Sequence, residues 1–453
     1  MLFSSIQFLY FFLPAVLVAY RLVGRQYKNL VLLIFSCIFY AWGEPRYIFL
    51  MLAQVVIVYI FTRFVNEKYI LWAVLVSVIP LIYYKYSGRA DHLPIGISFY
   101  TFQLISYCVD LHRKRVPVQK NLVNLMTYVT LFPQLVAGPI VRYNEINCEL
   151  ENRDNNIQDF SDGIVRFAAG LGKKVLIANI LGEVVREISD LPGREVWMSW
   201  VFALAVVMQI YYDFSGYSDM AAGLGLMFGF HFPTNFRYPF ISENISEFWR
   251  RWHITLGAWF RDYIYVPMGG NKVNRKRLVF NLMTVWLLTG IWHGAGANFI
   301  LWGLFFGMLI CFEKLFPQKL FLKPEKTIIL RIVSHVYVIL AVLISFLMFN
   351  ADSVALGLRD ISGLFRNLYA ENSGITMLKL EQMHILGNRF VLMMVAILGA
   401  TPVPVNIVRK IYSIFIFENL KQVFRILYVF VVLILCTAYL IDGSFNPFLY
   451  FRF

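Results

Sequence analysis

The stretch LVFNLMTVWLLTGIWHGAGANFILWGLFFGMLICF, residues 278–312, decides the fold class. It contains no Asp, Glu, Lys or Arg, and one straight helix of this length would extend for about 50 Å at ~1.5 Å per residue. That exceeds the ~30 Å hydrocarbon core of a bilayer, so the stretch must break, tilt strongly or form two segments. Gly290, Gly294 and Gly296 predict a break around His293, because glycine tolerates non-helical backbone.

The rest of the chain has the same apolar character. Of 453 residues, 59% are hydrophobic and only 15% are charged, whereas a soluble domain has roughly 25% charged residues. Apolar runs recur from Ile6 to Leu440 without a polar domain between them. The sequence therefore predicts an all-α, polytopic membrane protein with a single domain over residues 1–453, in which residues 1–20 form a first span and not a removable signal peptide.

Further spans are predicted at the remaining apolar runs. They lie near residues 29–42, 47–62, 69–84, 95–111, 122–140, 163–180, 196–212, 214–230, 332–350, 388–408 and 425–441.

A net charge of +14 could indicate nucleic-acid binding, but the basic residues do not form one face of a soluble domain. They occur in short clusters between apolar runs, at residues 21–28, 112–120 and 272–277. Such clusters mark cytoplasmic loops, and alternation of the predicted spans puts the first two on the same side. We therefore predict a membrane partner and no nucleic acid.

The five cysteines, Cys37, Cys108, Cys148, Cys311 and Cys436, lack the short spacings of metal or redox sites. The sequence predicts no disulfide, no metal and no permanently bound cofactor.

Residues 246–265 form a second unusual element. Trp249, Trp252, Leu256 and Trp259 recur at helical spacing, which predicts one amphipathic helix that is interfacial or re-entrant. His253 falls on the apolar face of that helix and is predicted to point inward.

His293 is the strongest candidate for chemistry, because an ionisable side chain deep in a bilayer is costly unless it lines a cavity or has a partner. A neutral imidazole can take a proton from a hydroxyl and return it to a leaving group. The alternative is a buried histidine that only hydrogen-bonds two helices. For His253, the local sequence favours a packing role. Asp213 and Asp219 lie between apolar runs, and they either line a substrate path or make structural hydrogen bonds.

Taken together, the motifs resemble the membrane-bound O-acyltransferase (MBOAT) family, in its branch of alginate and peptidoglycan O-acetylation proteins. The resemblance is densest over residues 94–303 and rests on PIGISFYTFQ (94–103), FPQLVAGPIVR (132–142), QIYYDFSGYSDMA (209–221), FPTNFRYPF (232–240), FWRRWHITLGAWFRDYIYVPMGGN (248–271) and GIWHGAGANFILWG (290–303).

The resemblance implies a function. The nearly invariant histidine of the family matches His293, and the second polar position of this branch matches His253, so both are predicted catalytic-site residues. The implied fold is a helical membrane domain with re-entrant helices around a central cavity. The implied reaction transfers acetyl from cytoplasmic acetyl-CoA, across the bacterial inner membrane, to a periplasmic SGNH-type O-acetyltransferase that modifies a polysaccharide.

Two alternatives stay open at this point. A teichoic acid D-alanyltransferase would take its thioester from a carrier protein. A secondary transporter, from another functional class, would also use intramembrane histidines, acids and broken helices, although the sequence contains no inverted repeat.

Overall fold

A computed structural model of the chain describes residues 1–64, 70–87, 93–154, 156–316, 327–369, 375–414 and 418–442. Helices dominate this part of the chain. The α-helices are Leu13–Leu22, Lys28–Gly43, Tyr47–Phe64, Ile70–Tyr86, Ile97–His112, Leu122–Thr130, Phe132–Leu135, Tyr143–Glu151, Ile157–Gly172, Ile180–Ser189, Val196–Met227, Ile245–Arg251, Ile254–Phe260, Arg275–His293, Ala297–Leu315, Ile328–Asn350, Val354–Gly363, Ile375–Gly399, Val403–Ile414 and Glu418–Ile441.

Short elements complete the described chain. The π-helical segments are Phe8–Phe12, Lys173–Asn179 and Arg261–Tyr265, and the 3₁₀ turns are Arg25–Tyr27 and Pro239–Ile241. The strands Gly193–Arg194 and Leu368–Tyr369 pair antiparallel over two residues each.

Six helices in the described ranges are long and apolar enough to cross a bilayer. They are Tyr47–Phe64, Val196–Met227, Ala297–Leu315, Ile328–Asn350, Met377–Gly399 and Asn419–Ile441. Shorter apolar helices, Phe8–Leu22 and Trp72–Tyr86, accompany them. The prediction of an all-α, multi-pass membrane protein is confirmed.

Four predicted spans differ from the structure. The span at residues 388–408 is divided, because the helix Ile375–Gly399 ends inside it and Val403–Ile414 begins after Pro402, which cannot continue the hydrogen-bond ladder. The spans at residues 196–212 and 214–230 are one continuous helix, Val196–Met227, and Asp213 does not interrupt it because Lys174 pairs with its carboxylate. The span at residues 122–140 instead ends at Thr130, and a four-residue helix containing Pro133 follows, since proline cannot continue the hydrogen-bond ladder.

The amphipathic element is also different from its prediction. In place of one helix over residues 246–265, the chain forms Ile245–Arg251, then Ile254–Phe260, then the π-helical turn Arg261–Tyr265. The break lies at His253, whose φ of 46° and ψ of 53° are left-handed. Side-chain periodicity alone does not reveal this break, because the apolar face continues across it.

By packing, the chain divides into two compact units. The first comprises the described residues within 1–172, 216–234 and 428–442; the second comprises those within 173–215 and 235–427. Phe3, Phe8, Phe39 and Phe132 form an aromatic core in the first unit, with ring centroids 4.9–6.3 Å apart. The second unit contains both predicted site histidines.

In the second unit, the decisive stretch forms a tight helical hairpin. Arg275–His293 and Ala297–Leu315 are separated only by residues 294–296, as predicted from the glycines. The helices touch through their backbones: a Cβ added at Gly290 would lie 2.5 Å from the carbonyl oxygen of Phe299, and one at Gly303 would overlap the carbonyl oxygen of Trp286. Small residues at such crossings let helices approach closely, and here they fix His293 at the hairpin turn.

Candidate active site

His293 is the last residue of the first hairpin helix and is buried, with 9% of its surface exposed. Aromatic rings surround its imidazole. Ring centroids of Trp292, Trp302 and Phe349 lie 4.7, 5.0 and 5.1 Å from that of His293, and the last two meet it nearly edge to face. This packing fixes the orientation of the ring in an apolar environment within the protein.

His253 is buried still more completely, at 2% exposure. Phe214 meets its ring edge to face with centroids 4.7 Å apart, and the ring of Trp292 lies 6.4 Å away. Trp292 therefore neighbours both histidines, and the two imidazole centroids are at most about 11 Å apart. The structure brings the two predicted site residues into one aromatic region, although 40 positions of sequence separate them.

Asn235 holds the backbone on which His253 lies. Its carbonyl oxygen accepts the N–H of Ile254 at 3.0 Å, and its side-chain Oδ1 accepts the N–H and hydroxyl of Thr255 at 3.3 and 2.9 Å. His253 occupies the N-cap position of the second short helix without capping it. Asn235 thus caps that helix from another segment, which stabilises the left-handed turn at His253.

The same side chain selects the tautomer of His253. Nδ1 of the imidazole lies 3.1 Å from Oδ1 of Asn235. An amide oxygen only accepts hydrogen bonds, so Nδ1 carries the proton and Nε2 presents a lone pair. Nε2 is buried and has no hydrogen-bond partner among the described residues. Burial lowers the pKa of His253 to about 3, so the ring is neutral at physiological pH.

A buried carboxylate positions the helix that precedes His253. Glu313, in the second hairpin helix, is 4% exposed, and its two carboxylate oxygens accept the N–H groups of Ile245 and Ser246 at 2.6 and 2.9 Å. The hydroxyl of Ser246 donates to the same carboxylate at 2.6 Å. A negatively charged side chain at a helix N-terminus accepts hydrogen bonds from backbone N–H groups that have no partner within the helix. It also interacts favourably with the positive end of the helix dipole. Glu313 thus links the His293 hairpin to the His253 segment.

The indole N–H groups of Trp302 and Trp249 lie in this aromatic region. Nε1 of Trp302 and Nε1 of Trp249 are buried and make no hydrogen bond in the described part of the chain. The two rings pack edge to face with centroids 5.5 Å apart. A buried donor without an acceptor is unfavourable by about 1–3 kcal/mol, and such a donor can stabilise negative charge that develops beside it.

The two acids singled out in the sequence have structural partners. Lys174 and Asp213 form an ion pair in which both side chains are at most 4% exposed. Asp219, in the first unit, accepts a hydrogen bond from Nε of Arg166 at 3.2 Å. These contacts favour the structural interpretation of both acids.

Asn235, Trp302 and Glu313 contribute to the surroundings of the two histidines and are not predicted from the sequence. Asn235 and Trp302 lie inside the quoted motifs FPTNFRYPF and GIWHGAGANFILWG, so their position there was an available signal. Glu313 follows the charge-free stretch directly, and a lone acid at a span end is usually interfacial. Only the fold shows that it caps another helix.

Comparison with known proteins adds an independent observation. A family profile described as MBOAT, membrane-bound O-acyltransferase family, matches residues 30–351. That interval includes both histidines and every residue described above in their surroundings.

Individual relatives agree with the profile. The chain is 41% identical over 343 residues to a "Probable alginate O-acetylase AlgI" of Pseudomonas syringae pv. tomato. The alignment covers 69% of this chain and 66% of the relative, so this chain spans just under two thirds of the relative's length. It is 31% identical over 378 residues to a "Peptidoglycan O-acetyltransferase" of Helicobacter pylori, covering 70% and 71%. A "Teichoic acid D-alanyltransferase" of Bacillus subtilis is 27% identical over 270 residues, covering 54% and 68%.

Proposed function

Because the chain belongs to the membrane-bound O-acyltransferase family, we propose that it is an O-acyltransferase that transfers acetyl groups for O-acetylation of a cell-surface or cell-wall polysaccharide. The observation that carries this proposal is the convergence of His293 and His253 on Trp292 inside the second unit. The relatives named for alginate and peptidoglycan acetylation support acetyl as the group transferred.

The proposed reaction begins at His293. Its imidazole takes the proton of an acceptor hydroxyl as the hydroxyl oxygen attacks the carbonyl carbon of the acetyl thioester. The tetrahedral intermediate collapses with cleavage of the carbon–sulfur bond, and the imidazolium returns the proton to the departing thiolate. Such proton transfer contributes about 10²–10⁴-fold in rate.

Neighbouring groups complete this mechanism. The Nε1 proton of Trp302, whose ring contacts that of His293, is the proposed donor to the developing oxyanion. Nε2 of His253 accepts a hydrogen bond from the substrate, because Asn235 keeps that nitrogen unprotonated. In this assignment His253 orients a hydroxyl and His293 moves the proton.

The direction of transfer follows from the proposed topology. The basic residues of the cluster at 272–277 are exposed and begin the helix that ends at His293, about 27 Å away along its axis. With that cluster in the cytoplasm, its charge attracts the phosphates of acetyl-CoA. The acceptor, a periplasmic SGNH-type O-acetyltransferase, approaches from the other side of the inner membrane.

The test is release of free coenzyme A from acetyl-CoA by the purified full chain with its periplasmic partner. We expect His293→Ala to abolish turnover while folding and donor binding are retained, and His253→Ala to leave a measurable residual rate. His384→Ala is the matched control, because His384 is an exposed histidine whose ring contacts Asn388. Full turnover by His293→Ala would contradict the mechanism.

The donor separates the two acyltransferase functions. The D-alanyltransferase alternative has the support of relatives such as the Bacillus subtilis enzyme, which are more distant. Turnover of a D-alanyl carrier-protein thioester, with none of acetyl-CoA, would favour that alternative. Solute transport that survives His293→Ala, with no thioester consumed, would favour a secondary transporter.

A further inference from the structure

A polar cavity of about 660 Å³ lies within the first unit, in which neither histidine of the proposed site is found. Three separate segments of sequence form it. The lining residues are Arg25, Gln26, Lys28, Asn29, Gln119, Lys120, Asn121, Asn124, Leu150, Glu151, Asn152, Arg153 and Asp154. All but Leu150 are polar, which is unusual for a cavity in so apolar a chain.

Hydrogen bonds hold the three segments together. Nδ2 of Asn29 donates to Oδ1 of Asn124 at 2.8 Å and to the carbonyl oxygen of Leu150 at 2.7 Å. Oε1 of Gln119 accepts the N–H of Asn121 at 2.9 Å, while its Nε2 donates to the hydroxyl of Tyr143 at 3.0 Å. The cavity is therefore a built site, whose polar side chains are positioned before any ligand binds.

Arg153 supplies a fixed positive charge to this cavity. Its Nε donates to the hydroxyl of Tyr20 at 2.8 Å and to the carbonyl of Phe228 at 3.1 Å, and its Nη1 donates to Oδ1 of Asn29 at 2.6 Å and the carbonyl of Glu149 at 3.1 Å. Every one of these acceptors is neutral. In the described part of the chain, the guanidinium is held in place without its charge being paired.

The cations of the lining outnumber its acids. Asp154 pairs with Arg25 at the exposed rim, with Nη2 and Oδ1 3.3 Å apart. The lining then has Lys28, Lys120 and Arg153 against one carboxylate, that of Glu151. Burial and the nearby positive charges of Arg153 and Arg25 lower the pKa of Lys28. This mutual repulsion means that an anion in the cavity would relieve an unfavourable interaction.

We propose that this cavity binds a phosphate-bearing anion on the cytoplasmic side of the membrane. Arginine and lysine, with amide N–H groups between them, are the side chains that recognise phosphate oxygens. The cavity joins Arg25 and Lys28 of the first basic cluster to Lys120 of the second, the two clusters that the charge pattern places in the cytoplasm. The phosphate belongs either to a soluble phosphomonoester or to the headgroup of an anionic phospholipid.

The experiment uses the full chain in nanodiscs and contains no acyl donor, so its result is independent of transferase activity. One arm titrates adenosine 3′,5′-bisphosphate into neutral phosphatidylcholine discs by calorimetry. The other counts phosphatidylglycerol molecules retained by the protein, using native mass spectrometry. The first variant is the double substitution Lys28→Gln with Lys120→Gln. The second is the single charge reversal Lys120→Glu, which changes an exposed side chain and therefore tests the proposal even if the double variant does not fold.

The control removes equal charge elsewhere, by Arg409→Gln with Lys410→Gln, two exposed residues of the helix Val403–Ile414. We expect one probe to bind the wild type and the control equally, and to bind the cavity variants at least about tenfold more weakly, with the loss growing as salt is lowered. The arm that responds identifies the source of the phosphate. If neither probe binds, or if the control variant weakens binding as much as the cavity variants, the proposal is overturned.

Discussion

Oδ1 of Asn235 lies 3.1 Å from Nδ1 of His253, a contact that sets the tautomer of a buried histidine, while the bonds of Asn235 to Ile254 and Thr255 hold the backbone there. Asn235 comes from a different segment of the second unit, and it accepts from Thr255 with the same oxygen. Removal of this side chain therefore changes the chemistry of His253 as well as its position.

Substitution of Asn235 is expected to separate these two effects. Asn235→Ala leaves Nδ1 without an acceptor, so we expect kcat to fall about tenfold, which corresponds to the loss of one hydrogen bond of about 1–1.5 kcal/mol that orients the ring. Asn235→Asp keeps the acceptor but adds a negative charge, which raises the pKa of His253 from its depressed value by about 1–3 units.

The pH dependence of kcat distinguishes positioning from simple folding. In the wild type, His253 is neutral above a pH of about 3, so its protonation does not affect the rate between pH 5 and 8. In Asn235→Asp, the ring becomes protonated at higher pH and the rate should decline earlier as the pH is lowered. Identical pH profiles for the two proteins, at equal stability, would argue against a role for Asn235 in the titration of His253.

Trp302→Phe tests the proposed oxyanion donor. The change removes the Nε1 proton but keeps an aromatic ring beside His293. Because the donor acts on charge that appears during the reaction, we expect kcat to fall about 10²-fold with little change in KM. Trp286→Phe is the control, since Trp286 packs on Trp302 with centroids 6.3 Å apart but has no ring contact with His293. Equal losses in both variants would point to packing alone.

Gly290→Ala is expected to open the hairpin that carries His293. The added methyl group would meet the carbonyl oxygen of Phe299 at 2.5 Å, and backbone cannot move aside as a flexible side chain can. We expect destabilisation by about 1–3 kcal/mol, with a matching loss of activity because His293 is three residues away. Thermal unfolding in detergent measures the first effect and coenzyme A release the second.

Gly387→Ala is the matched substitution, in the helix Ile375–Gly399. No atom lies within 4 Å of the added Cβ, so we expect a gain of roughly 0.5–1 kcal/mol from helix propensity. A Gly290→Ala protein as stable as Gly387→Ala would show that the close helix contact is not needed.

Lys174 and Asp213 form the buried ion pair with the largest expected effect on stability. Lys174→Met leaves the Asp213 carboxylate buried and uncompensated, which should destabilise the protein by about 3–5 kcal/mol. Lys174→Met combined with Asp213→Leu should recover most of that loss, because both charges are then removed. Unfolding midpoints of the two single variants and the double variant give the coupling between the side chains.

Arg166→Met provides the comparison for this pair. Arg166 and Asp219 are 31% and 26% exposed, so their ion pair contributes only about 0–1 kcal/mol. If Lys174→Met cost no more than Arg166→Met, the buried pair would not be a determinant of stability.

The membrane class, the helical architecture and the hairpin break at His293 could all be predicted from the amino-acid sequence. These follow from the length and composition of apolar runs and from the local freedom of glycine, which need no knowledge of distant contacts. The sequence also singled out His293 and His253, although their catalytic roles stay predictions until variants are measured.

The conformation of the His253 segment, by contrast, depends on contacts between residues that are distant in sequence. The break between Ile245–Arg251 and Ile254–Phe260 depends on Asn235, and the start of the first of these helices depends on Glu313. Both interactions join residues far apart in sequence, and periodicity reports only which face of a helix is apolar. The same reason applies to the Lys174–Asp213 pair. The helix Val196–Met227 continues through the buried Asp213 because Lys174 pairs with its carboxylate. The free energy of burying that charge is set by this spatial partner and not by the neighbours of Asp213 in sequence.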